Sequence, residues 1–124
     1  MNDIEITIYG ELIGKTFTKV FKKMDDELIF EGEKSYKFHH IQDCCENVVI
    51  DDVCGDLSDL ENSPILIAEE VKKKYGDKDY EDTNTWTFYK FATIKGSVDI
   101  RWYGSSNGYY SESVDFEEIE NKEV

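Results

Sequence analysis

Trp86-Thr87-Phe88-Tyr89-Lys90-Phe91-Ala92-Thr93-Ile94, followed by Lys95-Gly96 and then Ser97-Val98-Asp99-Ile100-Arg101-Trp102-Tyr103, is the stretch that decides the fold. Trp86, Phe88, Lys90, Ala92 and Ile94 share one parity; Thr87, Tyr89, Phe91 and Thr93 share the other. Side chains alternate faces along a strand, and here both faces are apolar or aromatic, which predicts a central strand covered on both sides. Lys95-Gly96 reads as a turn. Val98, Ile100 and Trp102 then alternate with Asp99, Arg101 and Tyr103, the pattern of a one-sided strand. Gly104-Ser105-Ser106-Asn107-Gly108 ends in Asn-Gly, a hairpin signal, so Tyr109 to Phe116 is expected to return as the last strand beside it.

Working outward from this pair, the remaining segments repeat the strand-and-turn rhythm. Thr16–Met24, Glu27–Phe30, Ser35–Ile41 and Asn47–Val53 are rich in β-branched and aromatic residues, and Asp25-Asp26, Glu31-Gly32-Glu33 and Gly55-Asp56 punctuate them. Gly10 and Gly14 bracket a bend. Leu57–Asn62 reads as one helical turn before Ser63-Pro64, and Ile65–Glu70 as a strand entered through the single proline. Gly76–Asn84 is polar and reads as a loop; Glu117–Val124 reads as a frayed acidic tail. The expectation is one mainly β domain over residues 1–124. It is an antiparallel curved sheet, sandwich or open barrel of about seven or eight strands with little helix.

The chain has 124 residues, with 28 acidic against 14 basic side chains, a formal net charge of −14. An aromatic content of 14% and a hydrophobic content of 40% exclude a disordered acidic tail. The charge disfavours direct binding to nucleic acid or to an anionic membrane, both of which need a basic patch. No run approaches the ~18 apolar residues of a membrane span. Met1–Tyr9 lacks a basic start followed by an apolar block, which predicts no secretory leader. Cys44, Cys45 and Cys54 make an odd set with two adjacent members, which reads as free thiols in a reducing compartment, the cytoplasm of a bacterial cell.

Two segments carry chemistry-bearing residues. In His39-His40-Ile41-Gln42-Asp43-Cys44-Cys45, His40, Cys44 or Cys45, and Cys54 could supply three metal ligands, or His40 could activate a thiol. Against this, adjacent cysteines on an extended chain point to opposite faces, and the surrounding Asp43, Glu46, Asp51 and Asp52 disfavour a thiolate. Small buried thiols are the plainer reading, and no metal or other cofactor is expected. The second segment is the acid block. Asp43 to Glu61 holds seven acids and no Lys or Arg, and Glu69-Glu70 extend it beyond Pro64. Charge of one sign gathered in one segment costs self-repulsion and exceeds what solubility needs, about 2–8 units for a small domain. Asp51, Asp52, Asp56, Asp59, Glu61, Glu69 and Glu70 are the expected partner-binding face. A calcium loop at Asp77–Asp82 fails on spacing, lacking the glycine at its sixth position and the acid at its twelfth. Trp102, Tyr103, Tyr109 and Tyr110 form an aromatic set that reads as cross-strand packing or as a contact surface.

The words His40-x-Gln42-Asp43-Cys44-Cys45-Glu46, Gly55-Asp56-Leu57-x-Asp59-Leu60, Trp86–Gly96, Val98–Gly104 and Ser106–Glu112 resemble a family of small acidic proteins of phages and mobile elements, over about residues 12 to 116. The resemblance brings no catalytic residues. It implies an accessory phage gene acting in a bacterial host. By analogy with anti-defence proteins, the expectation is a non-enzymatic, anti-CRISPR-type inhibitor. Its acidic face would stand in for phosphates opposite the Arg and Lys of a basic nucleic-acid-handling effector. The alternatives are a small-molecule binder or sponge for a nucleotide signal, needing a basic pocket from Lys90, Lys95 and Arg101, and a metal or thiol site centred on His40, Cys44 and Cys45.

Overall fold

The computed structural model describes residues 3–76, 83–107 and 110–120. The described residues form nine strands, β1 (Asp3–Ile8), β2 (Phe17–Lys23), β3 (Glu27–Gly32), β4 (Ser35–His39), β5 (Asn47–Cys54), β6 (Ile67–Tyr75), β7 (Thr83–Thr93), β8 (Gly96–Ser106) and β9 (Asp115–Ile119), and one 3-10 turn at Leu57–Leu60. They form two antiparallel sheets, one ordered β1-β6-β7-β8-β5 and the other β2-β3-β4-β9. The sheets face each other as an open sandwich. Among the described helical residues none forms a helix long and apolar enough to cross a membrane.

β7 lies at the centre of its sheet, as its two-sided pattern requires. Its odd residues Thr83, Thr85, Thr87, Tyr89 and Phe91 are buried toward the second sheet. Rings from both sheets interdigitate there, with Phe30 5.1 Å from Phe91 and Phe38 4.9 Å from Tyr89, centroid to centroid. Such edge-on contacts add to the area each ring buries. Leu12, Leu60 and Ile65, all fully buried, join the same core cluster.

Three expectations need correction, and one strand, β1, has no counterpart among the expected segments; it carries Ile4, Ile6 and Ile8 on one parity. β6 runs to Tyr75 instead of stopping at Glu70. The chain after β8 does not return as a hairpin partner: residues 111–114 are not in a strand, and β9 crosses to the other sheet to pair with β4. The Asn107-Gly108 turn and Tyr109 lie partly outside the described residues. Finally, Glu117–Ile119 is not tail but the end of β9, where Ser35 pairs Ile119. Gly104 explains the crossing. A Cβ there would sit 2.8 Å from the Glu112 carbonyl oxygen, so only glycine lets this segment pass flat over β8.

Candidate functional site

Between β4 and β5 the chain closes a tight loop around one carboxylate. Glu46 is buried, and its oxygens accept the backbone N–H groups of Asp43 (2.9 Å) and Cys44 (2.8 Å). His40 Nε2 lies 2.7 Å from Glu46 Oε2, and His40 Nδ1 lies 2.7 Å from the Ser113 carbonyl oxygen. Both ring nitrogens therefore face acceptors. Gln42 Nε2 donates to the Glu46 carbonyl at 2.6 Å and completes the loop. Burial pushes the Glu46 carboxyl upward, but the hydrogen bonds from His40 and from the Cys44 and Asp43 backbone outweigh it and hold the group at about 2.

The folded-back loop also corrects the cysteine reading. Cys44 and Cys45 are not two free thiols; they are joined to each other, while Cys54 is free and exposed. The extended chain that would separate adjacent side chains does not exist here, because Glu46 bends residues 43–46 onto itself. Cys54 lies at the far end of β5, so it does not converge with His40. Among the described residues no three His, Cys, Asp or Glu side chains gather as a metal-binding group. His40, with both nitrogens engaged, has none left to take a thiol proton.

A second buried carboxylate sits beside the first. Glu112 accepts hydroxyl hydrogens from Thr83 and Ser106 (both 2.5 Å) and from Thr85 (2.7 Å). Its neighbour Ser113 is the residue that holds His40, so the two centres are linked through one backbone step. Beside them Cys45, Thr83, Asn84, Tyr103, Ser105 and Tyr110 line a cleft of about 490 Å³. Glu112 escaped the sequence reading. Its only signal is the hydroxyl row Thr83-x-Thr85-x-Thr87, set on the opposite parity to Trp86 and Phe88.

The acid block is divided by the fold. Glu70 is buried on the inner face and accepts the Tyr9 hydroxyl and, at 3.2 Å, the Tyr89 hydroxyl; it is therefore removed from the partner-binding face. Burial and the Glu70 charge push both phenols upward. Glu61 is half-buried, with Oε2 2.9 Å from the Val20 N–H. Asp59 is half-buried and its carbonyl accepts from Thr93. Asp56 caps the 3-10 turn, accepting from the Ser58 hydroxyl (2.8 Å) and N–H (3.0 Å), and these bonds lower its pKa. Asp51 is exposed and pairs with Arg101 at 2.6 Å, so Arg101 does not pair along its own strand with Asp99. Asp52 and Glu69 are exposed.

Strand register maps the outer face of the five-stranded sheet. Ile8, Glu69, Lys90, Asp99 and Cys54 form one row across β1-β6-β7-β8-β5. Ile6, Val71, Phe88, Arg101 and Asp52 form the next, and Ile4, Lys73, Trp86, Tyr103 and Val49 the third. Lys90 thus separates Glu69 from Asp99. The Arg101 guanidinium lies over Trp86 at 5.3 Å and Lys73 over Phe88 at 5.5 Å. Trp102 leaves the expected aromatic set, being fully buried on the inner face, opposite to Tyr103. The basic pocket does not form either. Lys95 is spent on the Glu61 carbonyl at 2.7 Å, whereas Lys90 and Arg101 stand among carboxylates on the outer face. The Asp77–Asp82 run lies outside the described residues.

Residues 10–116 match a family model described as a domain of unknown function (DUF7448). No curated protein and no solved structure matches the chain.

Proposed function

The chain belongs to the DUF7448 family, and we propose that it is a non-enzymatic inhibitor that binds a basic, nucleic-acid-handling effector, in the manner of an anti-CRISPR protein, in the cytoplasm of a bacterial host. The contact surface is the rim formed by the end of β5 and the turn after it. Asp51, Asp52 and Asp56 are exposed there within six residues, Asp59 follows half-buried, and exposed Asp99 stands opposite Cys54 on the neighbouring strand. That rim is the observation that carries the reading. It sits at a sheet edge, its basic cross-strand neighbours among the described residues are Arg101 opposite Asp52 and Lys90 opposite Asp99, and the chain as a whole bears −14. Glu69 flanks it beyond Lys90. Carboxylates so placed present oxygen acceptors to guanidinium and ammonium groups that otherwise hold phosphates.

The test is binding of the full chain to a purified, guide-loaded CRISPR effector nuclease across a salt series. Binding that weakens steadily with salt, and that is lost in an Asp52→Lys, Asp56→Lys, Glu69→Lys variant, supports the reading. Binding that is indifferent to both salt and charge reversal refutes it.

A further inference from the structure

The sandwich has four sheet edges, and three of them are blunted. β2 carries Lys19, Lys22 and Lys23, has a register shift at Phe17/Lys19, and is covered where Glu61 Oε2 accepts the Val20 N–H and Asn62 N–H donates to the Phe17 carbonyl. β5 has a bulge between Ile50 and Asp52, two aspartates, and its Ile50 N–H is taken by the Asp25 carbonyl at 2.6 Å. β9 is short and lined by exposed Glu117 and Glu118. These are the devices that keep sheet edges from pairing with other chains.

β1 has no register shift and no covering contact among the described residues, and its exposed Glu5 is paired with Lys72 at 3.2 Å. Its register with β6 is unbroken from Asp3 to Ile8, and its outer parity is Ile4, Ile6 and Ile8, which are 63%, 71% and 63% exposed. The Tyr9 N–H donates to the directly opposite Ala68 carbonyl at 2.9 Å, so the odd residues of β1 aim their backbone groups at β6. By the alternation of an antiparallel ladder, the N–H and C=O groups of Ile4, Ile6 and Ile8 point to the open edge. Among the described residues β6 is the only strand paired with β1.

We propose that β1 is a self-pairing edge: two copies of this chain join β1 to β1 antiparallel about a two-fold axis normal to the sheet. In this register Ile6 faces Ile6 of the second copy, and Ile4 faces Ile8. The edge is complementary to itself there. Each of these facing pairs exchanges two backbone hydrogen bonds, every outward-pointing group of Ile4, Ile6 and Ile8 is satisfied, and the isoleucines meet on one face of a ten-stranded sheet. A second copy fits better than a charged partner strand, because no charge lies on the outer parity of β1 and Glu5, on the inner parity, is held by Lys72 at 3.2 Å. Strand pairing of this length buries less than the roughly 1,200 Å² of a stable complex, so the dimer is weak and concentration-dependent. Two bodies of −14 repel, so added salt strengthens the association, the opposite of what salt does to binding a basic partner.

Sedimentation velocity over a concentration series, at low and at high salt, tests this. The wild-type chain shifts from monomer toward dimer with concentration, and further with salt. Ile6→Lys, which sets two ammonium groups opposite each other, weakens association by about tenfold or more while far-ultraviolet circular dichroism is unchanged. Register is read separately, and independently of how Ile6→Lys folds, in a Cys54→Ser background. Under oxidised glutathione Ile6→Cys forms a covalent dimer, whereas Ile4→Cys, about four residues from its own copy, does not. A wild type that stays monomeric at the highest concentration and salt overturns the proposal. So does an Ile6→Lys variant that folds and associates as tightly as wild type, or an Ile4→Cys variant that cross-links to itself as readily as Ile6→Cys.

Discussion

The β4–β5 loop and the β5–β6 acid block are built from the same residue types, yet their carboxylates do opposite things. In the loop, Glu46 is enclosed and meets His40 and two backbone N–H groups. In the block, Asp52 and Glu69 face water. Glu70, immediately beside Glu69 in sequence, belongs with the first kind, because the two-residue period of β6 turns it inward onto Tyr9 and Tyr89. What decides an acid's role is the face it occupies and the number of donors that meet it, not membership of an acidic run.

Glu112 gives the contrast its sharpest form. Replacing it with alanine removes the acceptor of the buried Thr83 and Thr85 hydroxyls and one partner of half-buried Ser106, and a loss of about 3 kcal/mol in urea unfolding is expected. A loss as small as that of a surface substitution would break the distinction. Glu46 gives the second effect. Its folded pKa, about 2, lies below the ordinary 4.5, so its contribution is complete above about pH 4.5 and disappears as the pH falls toward 2. The stability gap between wild type and Glu46→Gln is therefore expected to narrow across that window; a gap that stays constant would show that Glu46 keeps no charge-dependent role. The smallest effect is expected in the block. Asp52→Lys and Glu69→Lys should each change stability by no more than about 0.5 kcal/mol, by thermal or urea unfolding.

The same contrast marks how far the sequence could be read. Trp86–Tyr103 spells its two strands because both are long, the first apolar on both faces and the second alternating, and a two-residue turn joins them. Asp3-Ile4-Glu5-Ile6-Thr7-Ile8 carries the same period in plain form, but it is short and its partner β6 is some sixty residues away. The crossing of β9 was not legible. Asn107-Gly108 suggests a local return, whereas the pull of three hydroxyls on Glu112 and the flat passage over Gly104 send the chain to the other sheet. For the same reason the acid block looked continuous. Its members share a segment, but β5, the 3-10 turn and β6 distribute them over a rim, a cap, an outer face and the core. Within His40–Glu46 the residue types pointed to metal or thiol chemistry, and the hydrogen bonds instead spend them on closing a loop.

The exposed carboxylates of the β5 rim are proposed to compete with phosphate for a basic surface. Fluorescence anisotropy of a labelled DNA duplex bound to a guide-loaded CRISPR effector nuclease measures that competition directly. Unlabelled wild-type chain is predicted to displace the duplex at low salt and to lose this ability as salt rises, and the Asp52→Lys, Asp56→Lys, Glu69→Lys variant should not displace it at all. Failure of the wild type to displace the duplex at low salt, or equal displacement by the variant, would contradict the claim.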